Sequence, residues 1–465
     1  MENGQHRRRW AREGRSVRRK NRSLRLEQLE ARDCRSTLSI ASFGAVGDDS
    51  RSDGDAIQAA IAAARPGDKI LIPKGTYLVD QTVVVDTQGL KIKGSGKASV
   101  IRAQAPTFNI FHVNSDNVTF DRLNFQGAAT PESTSANKGN FAIYTDIDST
   151  ASKGKVRNSF FSGPNSTTGL NNGIKLETGS NNWTVTGNTF ERLIGVVSGN
   201  GYGILVGASS EHLFKENRFS GALGQGRHAI YLSGGASNSR VSMNVVEKFN
   251  ESSIAVYSRS YQPACTANLV IANRIIDQRL GSTGSAGIEL SGNVQSNVVQ
   301  RNTILRPGRA GIVVTASNEG DLARDNVISN NRIEGAGQFG ILIEGALRTT
   351  VRGNCIYDAS LESADVYSAI QVQADNFSRE PRQVADGNVI DGNLITGLNG
   401  SVHYRWGISL NETVPAPTNS SITNNQVTKG QHGATDVVLE SLPTTFLFGN
   451  RIEQEILKPR IRSAR

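Results

Sequence analysis

Cysteine is almost missing from this chain. Three of its 465 residues are cysteines, Cys34, Cys265 and Cys355. Their odd number and wide spacing exclude a disulfide framework and a CxxC metal site. Aromatic residues make up 6% and proline fills 12 positions, against 48 glycines, a balance that suits short strands separated by tight turns. No run of about 18 apolar residues occurs, so no transmembrane helix is predicted. No P-loop, Rossmann fingerprint, HExxH or GxSxG pattern is present either, which removes nucleotide-binding, zinc-protease and serine-hydrolase chemistry.

Positive charge is abundant, but only in one place. The net charge is +9, and residues 1–37 hold 12 Lys/Arg against 5 acids, seven of those nine charges. The remaining body is nearly neutral, so no nucleic-acid partner is expected for it. A basic arm can bind nucleic acid or a membrane surface, yet a disordered or sorting segment is the simpler reading. No apolar stretch marks it as a secretory signal peptide.

What the chain does have is a repeat. Asparagine, any residue, then a hydrophobe recurs at Asn158, Asn188, Asn217, Asn244, Asn273, Asn302, Asn331, Asn354, Asn393, Asn425 and Asn450, in steps of 30, 29, 27, 29, 29, 29, 23, 39, 32 and 25 residues. A period of this size is the mark of a solenoid, which escapes the usual limit on core size because each coil touches only its neighbours. Between the asparagines lies a strand of common form, small residue–Ile–x–aliphatic–x. Examples are Gly173-Ile174-Lys175-Leu176-Glu177, Ala229-Ile230-Tyr231-Leu232-Ser233 and Gly287-Ile288-Glu289-Leu290-Ser291. Alternation places Ile and the aliphatic inside and the x positions outside. Short strands without helical stretches predict an all-β parallel β-helix of coils of about 29 residues. Asparagine suits a bend that needs the left-handed conformation and hydrogen bonds to backbone, so the ladder is read as structural.

Residues 54–64 form a predicted capping helix, with Asp53 as its N-cap and Ile57, Ala60, Ile61 and Ala64 as its apolar stripe. Domain boundaries are set at 1–37 for the arm, 38–457 for the solenoid and 458–465 for a basic tail. Residues 127–140 and 259–266 read as insertions, 282–285 as a turn.

The opening of the solenoid carries a family resemblance. Phe43-Gly44-Ala45-Val46-Gly47-Asp48, Ala56-Ile57-Gln58-Ala59-Ala60-Ile61 and Pro73-Lys74-Gly75-Thr76-Tyr77 resemble, in order and spacing, the entry to the pectate lyase superfamily domain shared by rhamnogalacturonase, epimerase-like and tailspike β-helices. The family's paired Asp before the helix is Ser52-Asp53 here. The resemblance implies a right-handed coil and a carbohydrate-acting protein. Separately, Leu26-Glu27-Gln28-Leu29-Glu30-Ala31-Arg32-Asp33-Cys34 resembles the LEPR-type N-terminal segment of exported bacterial proteins, without its usual proline, and implies an extracellular or cell-surface location.

Stacking the outer positions coil by coil locates candidate chemistry. The third strand position reads Tyr144, Lys175, Leu205, Tyr231, Ala255, Glu289, and the fifth Asp146, Glu177, Gly207, Ser233, Tyr257, Ser291. Tyr202, Arg227-His228 and Glu251 precede these strands, and Arg259 follows Tyr257. A lyase acting on acidic polysaccharide needs a cation for the uronate, a base and an acid. Lys175, Arg227 and Arg259 are the candidate cations, His228 is the candidate base, and Tyr202, Tyr231 or Tyr257 the candidate acid, with Lys175, Arg227, His228 and Tyr231 the expected catalytic set. Tyr144, Tyr202, Tyr257 and Arg259 are the expected substrate contacts. Asp146 and Glu177, adjacent with Lys175 diagonal to Asp146, are the metal candidates, with Ca²⁺ as the cation they suit. The expected activity is β-elimination on an acidic or complex polysaccharide. The alternatives are a hydrolase or epimerase on the same fold, or a non-catalytic glycan-binding or structural surface protein. An ordinary solvated sheet face would show the same residues. The polygalacturonase and alginate-epimerase signatures are absent, and Gln431-His432-Gly433 is a poor echo of the former.

Overall fold

In the computed structural model the described residues are 35–453, apart from 131–140, 148–150, 166, 195–200, 222–225, 279–285, 317–319, 376–382, 399–400, 411–415, 429–434 and 437–445. Most of the basic arm, the C-terminal tail, most of the 127–140 insertion, the 282–285 turn and Gln431-His432-Gly433 therefore lie outside them.

The chain winds as a right-handed parallel β-helix. Among the described residues it forms three long parallel sheets of 15, 13 and 14 strands, and each coil gives one strand to each sheet in turn. The folded unit begins at Ser36; Thr37, which the charge pattern grouped with the arm, already pairs with Lys69. The repeated isoleucines, Ile143, Ile174, Ile204, Ile230, Ile254, Ile288, Ile312, Ile341, Ile370 and Ile408, are fully buried and stack coil on coil. Like residues also stack elsewhere inside. Phe125, Phe161, Phe190 and Phe219 form a stacked column with ring centroids 5.0, 4.3 and 4.6 Å apart.

The asparagine ladder holds one corner. From Asn188 to Asn450, each side chain's Nδ2 donates to the Oδ1 of the next asparagine at 2.9–3.0 Å. Each backbone N–H donates to that same oxygen. The second Nδ2 hydrogen reaches a carbonyl of an earlier strand, as in Asn302 to Val270 at 2.9 Å. Buried amides are thus satisfied along the axis.

Three expectations change. Asn158 is not on the ladder: its neighbour Ser159 occupies the position and donates its N–H to Asn188 Oδ1 at 2.9 Å, which explains the odd first step of 30. The left-handed residue is not the asparagine but the one before it, as at Asn158, Gly187, Glu216, Met243, Ala272, Arg301 and Asn330, with φ between 52° and 65°. A second ladder also exists, five residues earlier in each coil. Asn268 Nδ2 donates to Asn297 Oδ1 at 3.0 Å, and Asn297 to Asn326 at 3.1 Å, with His212, Ser239, Thr349 and Asn388 at equivalent places.

The cap also departs from expectation. The helix spans Gly54–Ala62, and Asp53 makes no side-chain capping bond. Its buried carboxylate instead accepts from Val46 N at 2.8 Å and Leu78 N at 3.2 Å, fastening the entry loop to the first coil. Asp48 accepts from Thr76 N at 2.9 Å. Gly47 lies so close to Gly75 that a Cβ on Gly47 would meet the Gly75 Cα at 3.1 Å. The motifs of the entry are therefore pieces of one contact.

Two outcomes are expected. Asn302→Ala strips Asn273 of its acceptor and removes two donors, so its unfolding stability should fall by roughly 3 kcal/mol, and Asn450→Ala by less; denaturant titration of both variants checks this. His212 is buried and neutral: Nδ1 accepts from Trp183 N at 3.2 Å, and Nε2 faces Ser209 Oγ at 2.9 Å. Burial pushes its pKa down to about 3 from 6.5. The unfolded chain therefore binds the proton first, and stability present above about pH 6.5 is lost as pH falls toward 3. Each unit in that window is worth at most about 1.4 kcal/mol. His212→Asn, which keeps an acceptor in the ladder, should flatten stability against pH there.

Candidate functional site

The 13-stranded sheet turns its outer face to the candidate residues. Its register is the one the repeat predicts: Tyr144 pairs with Lys175, Lys175 with Leu205, Leu205 with Tyr231, Tyr231 with Ala255 and Ala255 with Glu289. Alternation brings these side chains out because the isoleucines between them go in.

Within this face the candidates separate into two clusters. Tyr202, Arg227, His228, Tyr231, Tyr257 and Arg259 line one groove of about 380 Å³, together with Glu251, Ala255 and Glu289. Arg227 Nε donates to Glu251 Oε2 at 2.8 Å, and its Nη1 donates to the Tyr202 phenol at 2.8 Å. His228 is 4% exposed, its ring stacked on Tyr202 with centroids 5.6 Å apart and beside Tyr231 at 4.9 Å. The backbone carbonyl of Ser252 lies 2.6 Å from His228 Nδ1, and Glu251 Oε2 lies 3.1 Å from Nε2. Both ring nitrogens are therefore engaged by acceptors, one from the backbone and one from a side chain. A ring held on both sides in this way has its orientation fixed by the protein.

The charges in the groove are set by their neighbours. Burial alone would raise the pKa of Glu251, but its hydrogen bonds and charge interactions with His228 and Arg227 prevail and bring it to about 2. Burial raises the phenol pKa of Tyr231 far above its ordinary value of 10.0, and that of Tyr202 also rises, again chiefly through burial. Both tyrosines remain proton donors at neutral pH. Glu289 accepts from Ser252 Oγ through Oε2. Arg259 donates to Tyr261 at 2.6 Å, and its exposed guanidinium stands at the groove mouth.

The second cluster lies upstream on the same face. Lys175 forms an ion pair with Glu177, just past the end of its strand, and its ammonium lies 5.4 Å from the Tyr144 ring centroid and 5.8 Å from that of Phe141. Asp146 faces not Lys175 but His112, 3.6 Å away. The metal reading does not fit this arrangement. Glu177 is already neutralised by Lys175, and among the described residues no three or more His, Cys, Asp or Glu side chains gather, whereas Ca²⁺ takes about six to eight oxygens. Lys175 does not line the groove either; it stands two coils from Tyr231.

Glu251, Glu289 and His112 are not among the site residues expected from sequence. The repeat register already places Glu289 in the row of Tyr231 and Glu251 beside its strand; what it withholds is which of them meet.

The sequence model of the right-handed β-helix region matches residues 172–378, and that of rhamnogalacturonase A/epimerase, pectate lyase-like proteins matches residues 37–273. No curated protein sequence matches the chain. Among solved structures, a tailspike protein of E. coli bacteriophage HK620 in complex with a pentasaccharide is 11% identical, with a TM-score of 0.60, covering 89% of this chain and 78% of that one. A PL6 alginate lyase in complex with a trisaccharide is 14% identical, with a TM-score of 0.56, covering 91% and 97%. The A-module of the Azotobacter vinelandii mannuronan C-5 epimerase AlgE6 is 17% identical, with a TM-score of 0.50, covering 90% and 100%. At these identities the likeness is one of fold.

The groove carries its own prediction. Because the pKa of Glu251 is lowered, the stability it contributes is complete above its ordinary value of 4.5 and is lost as pH falls toward about 2. Glu251→Gln should remove that share of the acid dependence; an unchanged stability profile between those pH values would mean that the Arg227–Glu251–His228 contact does not form.

Proposed function

The chain belongs to the rhamnogalacturonase A/epimerase, pectate lyase-like family, and from that footing we propose that its groove cleaves an acidic polysaccharide by β-elimination. The observation that carries this reading is the pairing, in one groove, of arginines with tyrosines kept protonated by burial. Arg259 at the mouth neutralises the uronate carboxylate, which acidifies the proton on the adjacent carbon. Glu289 takes that proton through Oε1, its Oε2 being held by Ser252. The electron pair forms the new carbon–carbon double bond, the glycosidic oxygen leaves, and Tyr231 protonates it. Arg227, His228 and Glu251 form the frame that fixes Tyr202 and Tyr231. In this scheme the base is Glu289 rather than His228, and Lys175 and Tyr144 bind substrate upstream. A place outside the cell, where such polymers are met, accords with the LEPR-like segment.

Hydrolysis is the second reading, supported by two carboxylates, Glu251 and Glu289, in the same groove. The products separate the two. Elimination yields unsaturated uronates with ultraviolet absorbance, while hydrolysis yields reducing ends without it. Tyr231→Phe should lower kcat by about 10²–10⁴-fold while leaving the fold intact. No product of either kind across a broad panel of uronate and neutral polysaccharides would defeat the enzyme reading and leave a binding protein.

A further inference from the structure

Among the described residues the groove is open on one side and closed on the other. Its outward row runs upstream from Glu289 through Ala255, Tyr231, Leu205 and Lys175 to Tyr144, and all but Ala255 are partly exposed. Downstream the same row continues in register as Val313 and Leu342, which are 2% and 0% exposed. The corner row changes from polar to apolar. Tyr202 and His228 pair with each other upstream, and Ala286, Ala310 and Phe339 pair in turn downstream. These downstream residues form an apolar cluster of their own, separate from the solenoid interior.

The cover is built in rather than loosely laid. Tyr367 stands edge-on to Phe339 with ring centroids 5.0 Å apart. It belongs to the long connection after Cys355–Tyr357, which accounts for much of the 39-residue step between Asn354 and Asn393. Ser360 N, Leu361 N and Glu362 N donate to Gln338 O, Ala336 O and Gly337 O at 2.7, 3.1 and 2.8 Å. The far side is pinned by the buried Asp358 carboxylate, 2.5 Å from His403 Nδ1, and by Arg405 N donating to Tyr367 O at 2.9 Å.

We propose that this wall makes binding one-sided: the glycan lies along the solenoid axis over Tyr231, Leu205, Lys175 and Tyr144, and one chain end abuts the wall. Coils are about 4.8 Å apart, so three steps from Tyr231 to Tyr144 give about 14 Å of surface upstream, against roughly one coil between Glu289 and the buried Val313. A long polymer cannot thread past the reacting bond. The protein therefore attacks chain ends and releases short products. Upstream, Lys175 over the Tyr144 and Phe141 rings offers a charged and an aromatic contact to an acidic sugar.

The inference rests on the catalytic reading of the groove, and product sizing separates the two. With the full chain and whichever polysaccharide it cleaves, products should be short and uniform from the first turnovers while viscosity falls slowly. A bulky fluorophore should block cleavage from one end of a defined oligomer and be tolerated at the other. Lys175→Ala should raise KM several-fold for long oligomers and less for the shortest. Phe339→Ala with Tyr367→Ala should broaden the product sizes. Early, broad products with rapid viscosity loss, or equal tolerance of both end labels, would overturn one-sided binding and spare the catalytic reading. Failure to cleave any polysaccharide would overturn both.

Discussion

A hydrogen bond from one buried asparagine amide to the next, repeated along the axis, sets the terms for everything else in this fold. A corner of a β-coil interrupts sheet pairing and leaves backbone N–H groups facing inward. In an apolar interior each such group costs about 1–3 kcal/mol if it finds no partner. The ladder oxygen takes two donors at once, a side chain and a backbone, and so lets the chain turn without that cost. Once the corner is fixed, the register of the following strand is fixed with it. The outward rows of the neighbouring sheet then come into line, and the groove is composed from those rows.

The same logic explains why the site has this form. An aligned sheet face offers one outward side chain per strand at each position, at constant spacing, so a cluster arises when several successive coils carry polar residues at neighbouring positions. Arg227, His228 and Glu251 come from two successive corners, Tyr231 and Glu289 from strands two coils apart. The arginine, the imidazole and the carboxylate meet in one contact that keeps Glu251 ionised, while burial leaves the tyrosines un-ionised in the same small space.

Much of this is legible in the amino-acid sequence, because a repeat converts spacing into position. The β-helix, its interior isoleucines and the Tyr144–Lys175–Leu205–Tyr231 row all follow from counting. Counting fails where the chain departs from its own period. The first step of 30 marks Ser159 rather than Asn158 as the ladder residue, and the second ladder is hidden because His212, Ser239 and Thr349 stand in for asparagine there. Asp53 has the chemistry of a helix cap, but two nearer N–H groups claim its carboxylate. Side-chain choice among neighbours is the least legible link: Asp146 turns to His112 and Lys175 to Glu177, which a row of residue types cannot decide. The wall over Val313 and Leu342 is only partly visible to counting, since Tyr367, which packs on their cluster, comes from an irregular connection that obeys no repeat.

The ladder has a mechanical meaning as well. Its bonds run parallel to the solenoid axis and join coils one after another, so a pull applied to the two ends loads them in series. Each coil-to-coil interface then carries the whole force, shared between its ladder bond and the strand pairings of the three sheets, and the interface with the weakest partners gives way first. A force applied across the axis instead meets many coils side by side and is divided among them. Such a protein is expected to resist shear against a surface far better than peeling from its termini, where the last asparagine, Asn450, has a partner on one side only among the described residues.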